Sequence, residues 1–203
     1  MIMISTFQAH SRRGGLLYAL LLLAVIGILA VGAANADDRA TGTREGAETE
    51  EDWRGLVEAA AYAYEARRPY QAQELLERAV GKTEPGSEER AAVLNNLAIV
   101  LETNGHLSAA EQLYVRVIGL WTALLGPDDI NVARTLGNLA DLHHRQGQLE
   151  EAAEAYGLAL QSIGLVSGPE AEQVRGILEE GQIRVRDDQE RQASEGGAKD
   201  RGS

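Results

Sequence analysis

Cysteine is absent from the 203 residues. That excludes a disulfide, a thiolate metal site, a cysteine nucleophile and lipid attachment through a thiol, so packing alone must hold any exported part of the chain. Phe, Trp and Tyr together make up only 4%. Basic residues are outnumbered, 19 Lys and Arg against 31 Asp and Glu, for a formal net charge of −12. Residues 1–36 hold Arg12 and Arg13 and no acid, so the remainder carries −14. Nucleic-acid affinity rests on Lys and Arg contacts to phosphate, and docking on anionic lipid needs basic segments. The charge balance argues against both partners. Histidine is scarce too: His10, His106, His143 and His144. The adjacent pair points about 100° apart on a helix, unlike two ligands at i and i+4, so no metal site is expected. His143 reads as a packed inner-face residue. No G-x-S-x-G elbow, phosphate loop or strand pattern is present. Neither an enzyme nor a cofactor is expected.

The N-terminus holds the one long apolar run. Arg12 and Arg13 precede LLYALLLLAVIGILAV (Leu16 to Val31), and Ala34-Asn35-Ala36 then leads into Asp37-Asp38. A basic start, an apolar centre and an A-x-A end form an export signal with cleavage before Asp37. The alternative is a retained anchor. Residues 14–34 are 21 uncharged residues, enough to span a bilayer as a helix. Either way the rest of the chain lies outside the cytoplasm: periplasmic or extracellular if cleaved, anchored in the inner membrane if not. Residues 37–52 are polar and acidic and read as a flexible linker. Residues 187–203, DDQERQASEGGAKDRGS, read as a disordered tail.

Between these flanks the chain repeats. Leu97 to Leu139 is 42 positions, as are Gly105 to Gly147, Ala110 to Ala152, Tyr114 to Tyr156 and Gly126-Pro127 to Gly168-Pro169. A fixed step of that size marks a stacked repeat array. Within a repeat, Leu94, Leu97, Ala98 and Leu101 recur on one helical face, and Asn104-Gly105 ends that helix. A second helix carries Ala109, Ala110, Leu113, Tyr114, Val117 and Ile118 inward. Leu136, Leu139, Ala140 and His143, then Ala152, Ala155, Tyr156, Ala159 and Leu160, repeat the arrangement. A divergent copy precedes them, with Leu56, Ala59, Ala60 and Ala63 before Ala72, Leu75, Leu76, Ala79 and Val80. Its step is 38, from Ala72 to Ala110, and Arg67-Arg68-Pro69 stands at its turn. The repeats run over about 53–82, 90–124 and 132–166. A cap over 170–186 presents Val174, Ile177, Leu178 and Val185 to the last pair, with Gly176 and Gly181 each weakening it by roughly 1 kcal/mol. The expected domain is therefore all-α and spans 53–186.

The stretch NNLAIVLETNGHLSAAEQLYVRVIGLWTALLGPDDINVARTLGNLADLHHRQGQLEEAAEAYGLAL resembles tetratricopeptide repeats of the 42-residue variety found in kinesin light chains and many bacterial proteins. The resemblance covers about half of the chain. It implies a right-handed α-solenoid of about three repeats plus the capping helix, with the first helix of each pair lining a concave groove. It implies a protein-interaction scaffold that binds a peptide or partner protein there. The alternative is a membrane-anchored assembly protein with the array as its periplasmic arm. By position the groove candidates are Arg54, Glu58 and Ala61, then Asn95, Asn96 and Ile99, then Arg134, Asn138 and Asp141. Asparagine amides can bond an extended peptide backbone whatever its sequence, or they can bond neighbouring helices and order the stack. Three repeats are about the minimum for a stable array, so self-association stays open.

Overall fold

The computed structural model describes residues 52–199, and among them it forms seven helices and no strand. They are α1 (Trp53–Glu65), α2 (Pro69–Gly81), α3 (Glu88–Thr103), α4 (Leu107–Leu125), α5 (Ile130–Arg145), α6 (Leu149–Ile163) and α7 (Pro169–Lys199). The expected export signal or anchor, and the linker up to residue 51, lie outside the described residues. No helix among the described residues is long and apolar enough to cross a membrane.

Local chemistry sets the helix ends. Ser87 accepts from the backbone N–H of Arg90 at 3.1 Å, with Glu88 and Glu89 in the first turn, where carboxylates favour the positive end of the dipole. Asp129 accepts from the N–H of Asn131 at 2.8 Å and caps α5, as its place after Gly126-Pro127 predicts. The turns inside the second and third pairs need a left-handed residue, supplied by Gly105 (φ 82°) and Gly147 (φ 76°). The first pair has Arg67 (φ 60°) at that position, the one non-glycine residue with positive φ among the described residues.

α1 packs on α2, α3 on α4 and α5 on α6, and each second helix also packs on the next first helix. α7 lies against α6 and α5. Alanines at 60, 72, 98, 110, 140 and 152 are fully buried or nearly so, and let the helix axes approach. Tyr114 and Tyr156 fill the space beside them, each wholly buried. Arginines bind the pairs together by satisfying carbonyls that a helix leaves open at its C-terminus. Arg90 donates to the Val80 and Thr83 carbonyls at 3.2 and 2.8 Å, and Arg175 to those of Ile163 and Val166 at 3.1 Å each.

Three sequence expectations need correction, the first being Ala59, which is exposed on α1 while Ala60 beside it is buried. Ala109 is exposed, not inward, because it lies in the first turn of α4 and Ala110 beside it takes the contact with α3. The C-terminal helix does not stop near 186: it continues to Lys199. Its distal half is held by polar contacts. His144 of α5 and Asp188 bond at 2.7 Å, and Arg191 pairs with Asp188 one turn on. A polar helix of this kind has no apolar period to separate it from a disordered segment.

Candidate binding face

α3 and α5 lie side by side as successive first helices, and their facing residues are 43 positions apart. Asn138 Nδ2 donates to Asn95 Oδ1 at 3.4 Å, with both residues buried. Arg145 pairs with Glu102. Ile99 is buried in the cluster that holds Leu139 and Leu142. The step exceeds the repeat by one residue for a geometric reason. Equivalent residues point the same way along the array, so two side chains that meet across the seam cannot be repeat equivalents, and an offset of one residue turns one of them about 100° toward the other. The step recurs between α5 and α7, where Arg184 donates to Asp141 at 3.3 Å.

Each buried tyrosine is tied into this seam. The Tyr114 hydroxyl donates to Glu102 Oε2 at 2.9 Å and the Tyr156 hydroxyl to Asp141 Oδ1 at 2.6 Å. The spacing is 12 residues in one case and 15 in the other, so the carboxylate moves by about one helical turn and its arginine moves with it. The first repeat has Leu76 in the place of Tyr114 and needs no such partner. Burial pushes the Glu102 carboxyl above its ordinary range; Arg145 and the Tyr114 hydroxyl pull it back, and Asp141 adds to the push. Burial likewise raises Tyr156, with the Asp141 charge adding to it.

Five of the nine candidate groove residues are therefore engaged within the protein. Asn95, Asn138 and Ile99 form the α3–α5 seam. Asp141 joins α5 to Tyr156 and α7. Arg134, with a side chain only 12% exposed, bonds Glu170 in the first turn of α7 at 2.5 Å. Buried polar side chains find partners, and here the nearest partners are the neighbouring helices. Glu58 is exposed, and Ala61 and Asn96 are half-buried. Arg54 is exposed, stacked over the Trp53 ring at 4.5 Å and 3.5 Å from Asp52. Asn96 is the repeat equivalent of the buried Asn138. The position facing it by the seam rule, with the shorter step of the first repeat, is apolar Val57, which offers no amide. His143 is half-buried, and its Nδ1 bonds Gln148 Oε1 at 2.7 Å. Among the described residues no group of His, Cys, Asp or Glu is arranged to hold a metal ion.

Glu102, Arg145 and Arg184 were not among the sequence candidates. Their signal is an acid and an arginine 43 apart, at Glu102 and Arg145 and again at Asp141 and Arg184.

The Asn95–Asn138 contact yields a direct expectation. Asn138→Ala leaves a buried amide without its partner and lowers the unfolding free energy in urea by about 1–2 kcal/mol. Replacing both asparagines by leucine removes both polar groups, and most of that loss is recovered. Equal losses in the single and the double variant would mean that the two amides do not act on each other.

Residues 89–162 match the family model for the tetratricopeptide repeat. A comparison with curated proteins gives no match. Among solved structures, the crystal structure of BtubC (BKLC) from P. vanneervenii is similar at 18% identity with a TM-score of 0.56, over 88% of this chain and 73% of that one. A Podosopora anserina protein with nearly identical TPR-like repeats of kinesin-light-chain type is similar at 20% identity with a TM-score of 0.54. That match covers 64% of this chain and 68% of the other. At these identities the likeness speaks for the fold.

Proposed function

The chain carries tetratricopeptide repeats of the kind that serve as protein-interaction scaffolds, and on that premise we propose that it is an exported scaffold holding a peptide or partner protein against its first-helix face. The observation that carries this reading is the residue of polar side chains left once the seams are satisfied. Glu58 and Asn96 reach solvent on neighbouring first helices, and Arg54 lies one turn before Glu58. The buried titratable groups support binding over catalysis: Glu102 and Asp141 are committed to tyrosine hydroxyls and arginines, as in a structural ion-pair network. Export is supported by Arg12-Arg13, the apolar run from Leu16 and the Ala34-x-Ala36 end.

Photo-crosslinking side chains at Glu58 and Asn96, compared with Val115 and Leu158 on the exposed sides of α4 and α6, test the reading in cells. The expected result is a discrete adduct from Glu58 and Asn96, recovered from the envelope on a chain that starts at Asp37. Adducts from Val115 and Leu158 alone would move the binding surface to the second helices. Adducts on full-length chain in the membrane would favour the anchored form.

A further inference from the structure

Each first helix meets the one before it at positions set by the one-residue offset. Tyr64 of α1 and Thr103 of α3, 39 apart, bond through their hydroxyls at 3.1 Å. That separation is the shorter step of the first repeat plus one. Ile99 and Leu142, 43 apart, lie in one apolar cluster. Arg184 of α7 follows the same offset toward Asp141. α7 thus takes the place of a fourth first helix. Two faces of this row have no neighbouring helix among the described residues: the side of α1 that points back and the side of α7 that points onward.

The residues on those two faces follow from the pairs inside the stack. On α1 the repeat equivalents of Asn138, Leu142 and Arg145 are Glu58, Tyr62 and Glu65. On α7 the equivalents of Asn95, Ile99 and Glu102 are Glu179, Ile183 and Arg186. All six are exposed, and none has a hydrogen bond or ion pair among the described residues. Tyr62 is 70% exposed where Leu142 is wholly buried, and Ile183 is 47% exposed where Ile99 is buried. Among the described residues they are the two large apolar side chains exposed on the first helices and α7. The offset that relates Ile99 to Leu142 relates Ile183 to Tyr62. It also sets Arg186 against Glu65, opposite charges in the places of Glu102 and Arg145. Exposed Asp187 and Glu190 come next on α7, and exposed Arg67 and Arg68 next after α1, again of opposite sign. Glu179 against Glu58 is the one opposed pair.

We propose that a second copy of the chain stacks end to end on the first, with α1 of one copy against α7 of the other, Tyr62 on Ile183 and Glu65 paired with Arg186. A tyrosine suits such a place, because its ring covers apolar surface while its hydroxyl stays at the wet rim. The two faces differ, so the contact is heterologous. Each added copy leaves one face of either kind free, and the assembly is an open stack rather than a closed dimer. No second helix follows α7 among the described residues, so the incoming α1 lacks the cover that α2 gives α3. The contact is therefore small, and the stack forms by mass action at high concentration. The stack is independent of whatever the first-helix face holds.

The absence of cysteine lets introduced thiols report the contact. Purified full-length chain carrying both Glu58→Cys and Glu179→Cys is treated with a short bis-maleimide over a rising concentration series. The expected result is a ladder of dimer, trimer and longer species that grows with concentration. Each single-cysteine variant stays monomeric, because a head-to-tail contact needs both faces. In the double-cysteine background, Glu65→Arg or Arg186→Glu is expected to weaken the ladder about tenfold, the scale of turning an exposed attraction into a repulsion. The two reversals together restore it, and that recovery separates a lost contact from misfolding. A ladder indifferent to charge reversal overturns the proposal. So do dimers from Glu58→Cys alone, which would mean that two α1 faces meet each other. No ladder at any concentration gives the face of α1 to a different occupant and overturns it as well. A failed photo-crosslink at Asn96 would leave this ladder unaffected, so the two readings fail separately.

Discussion

Arg145→Ala is expected to lower the unfolding free energy by about 3 kcal/mol at neutral pH, and the loss shrinks on acidification. Removing Arg145 leaves Glu102 buried with only the Tyr114 hydroxyl to answer its charge. A buried carboxylate without its cation relaxes by taking up a proton, which moves its pKa further upward. Burial already holds that pKa above the ordinary value of 4.5 in the folded wild type. Between the ordinary value and the raised one, the folded state therefore binds more protons than the unfolded state. The sign follows: unfolding free energy falls as pH rises through that window, and is highest below it. The wild type should show this slope weakly and Arg145→Ala strongly. Glu102→Gln should flatten it, since glutamine can still accept from Tyr114 and does not titrate there. Adding Glu102→Gln to Arg145→Ala should recover most of the loss. Urea unfolding at several pH values from about 4.5 to 7.5 measures all four proteins. Parallel curves for Arg145→Ala and the wild type would mean that Arg145 does not hold the Glu102 charge.

Gly181→Ala is expected to destabilise by about 1–3 kcal/mol, opposite in sign to the usual helical exchange. Alanine in place of glycine inside a helix ordinarily gains up to about 1 kcal/mol. At Gly181 an added Cβ would fall on the Tyr156 ring, 2.5 Å from Cε1 and closer still to Cζ and the hydroxyl. Tyr156 cannot swing aside, because it is wholly buried and bonded to Asp141 at 2.6 Å. Gly176, on the same helix, is the control. No atom lies within 4 Å of its Cβ position, so Gly176→Ala should stabilise by about 1 kcal/mol. Thermal unfolding of the two variants should shift in opposite directions. A gain in Tm for Gly181→Ala would show that α7 does not rest on Tyr156 at this distance. Gly137 is an intermediate case. Its Cβ would lie 2.6 Å from Leu178 Cδ2, the far end of a side chain, though one that is itself wholly buried.

Gly181 also shows where composition misleads. Read along the chain it is a weak point in a capping helix; in the fold it is the gap through which that helix approaches Tyr156. The nine candidate residues divide in the same way. All lie on first helices, as the repeat step predicts, yet Asn95, Ile99 and Asn138 close the α3–α5 seam, and Arg134 and Asp141 hold α7. Of the rest, Arg54 and Glu58 are exposed, and Ala61 and Asn96 are half-buried. Their burial depends on how closely successive first helices lie, and a repeat length does not state that distance.

By itself the sequence determined the helix pairs, their order, the turns at Gly105 and Gly147, the buried Tyr114 and Tyr156, and the alanines between helices. Each is a local or periodic property, legible because one helical turn or one repeat constrains residues at known offsets. Only the tertiary structure decided which polar residues the stack consumes. A quarter of the residues are charged, so acid–arginine pairs occur at many separations. What selects Glu102 with Arg145 and Asp141 with Arg184 is burial at a shared seam, where an unpaired charge is costly and a paired one is not.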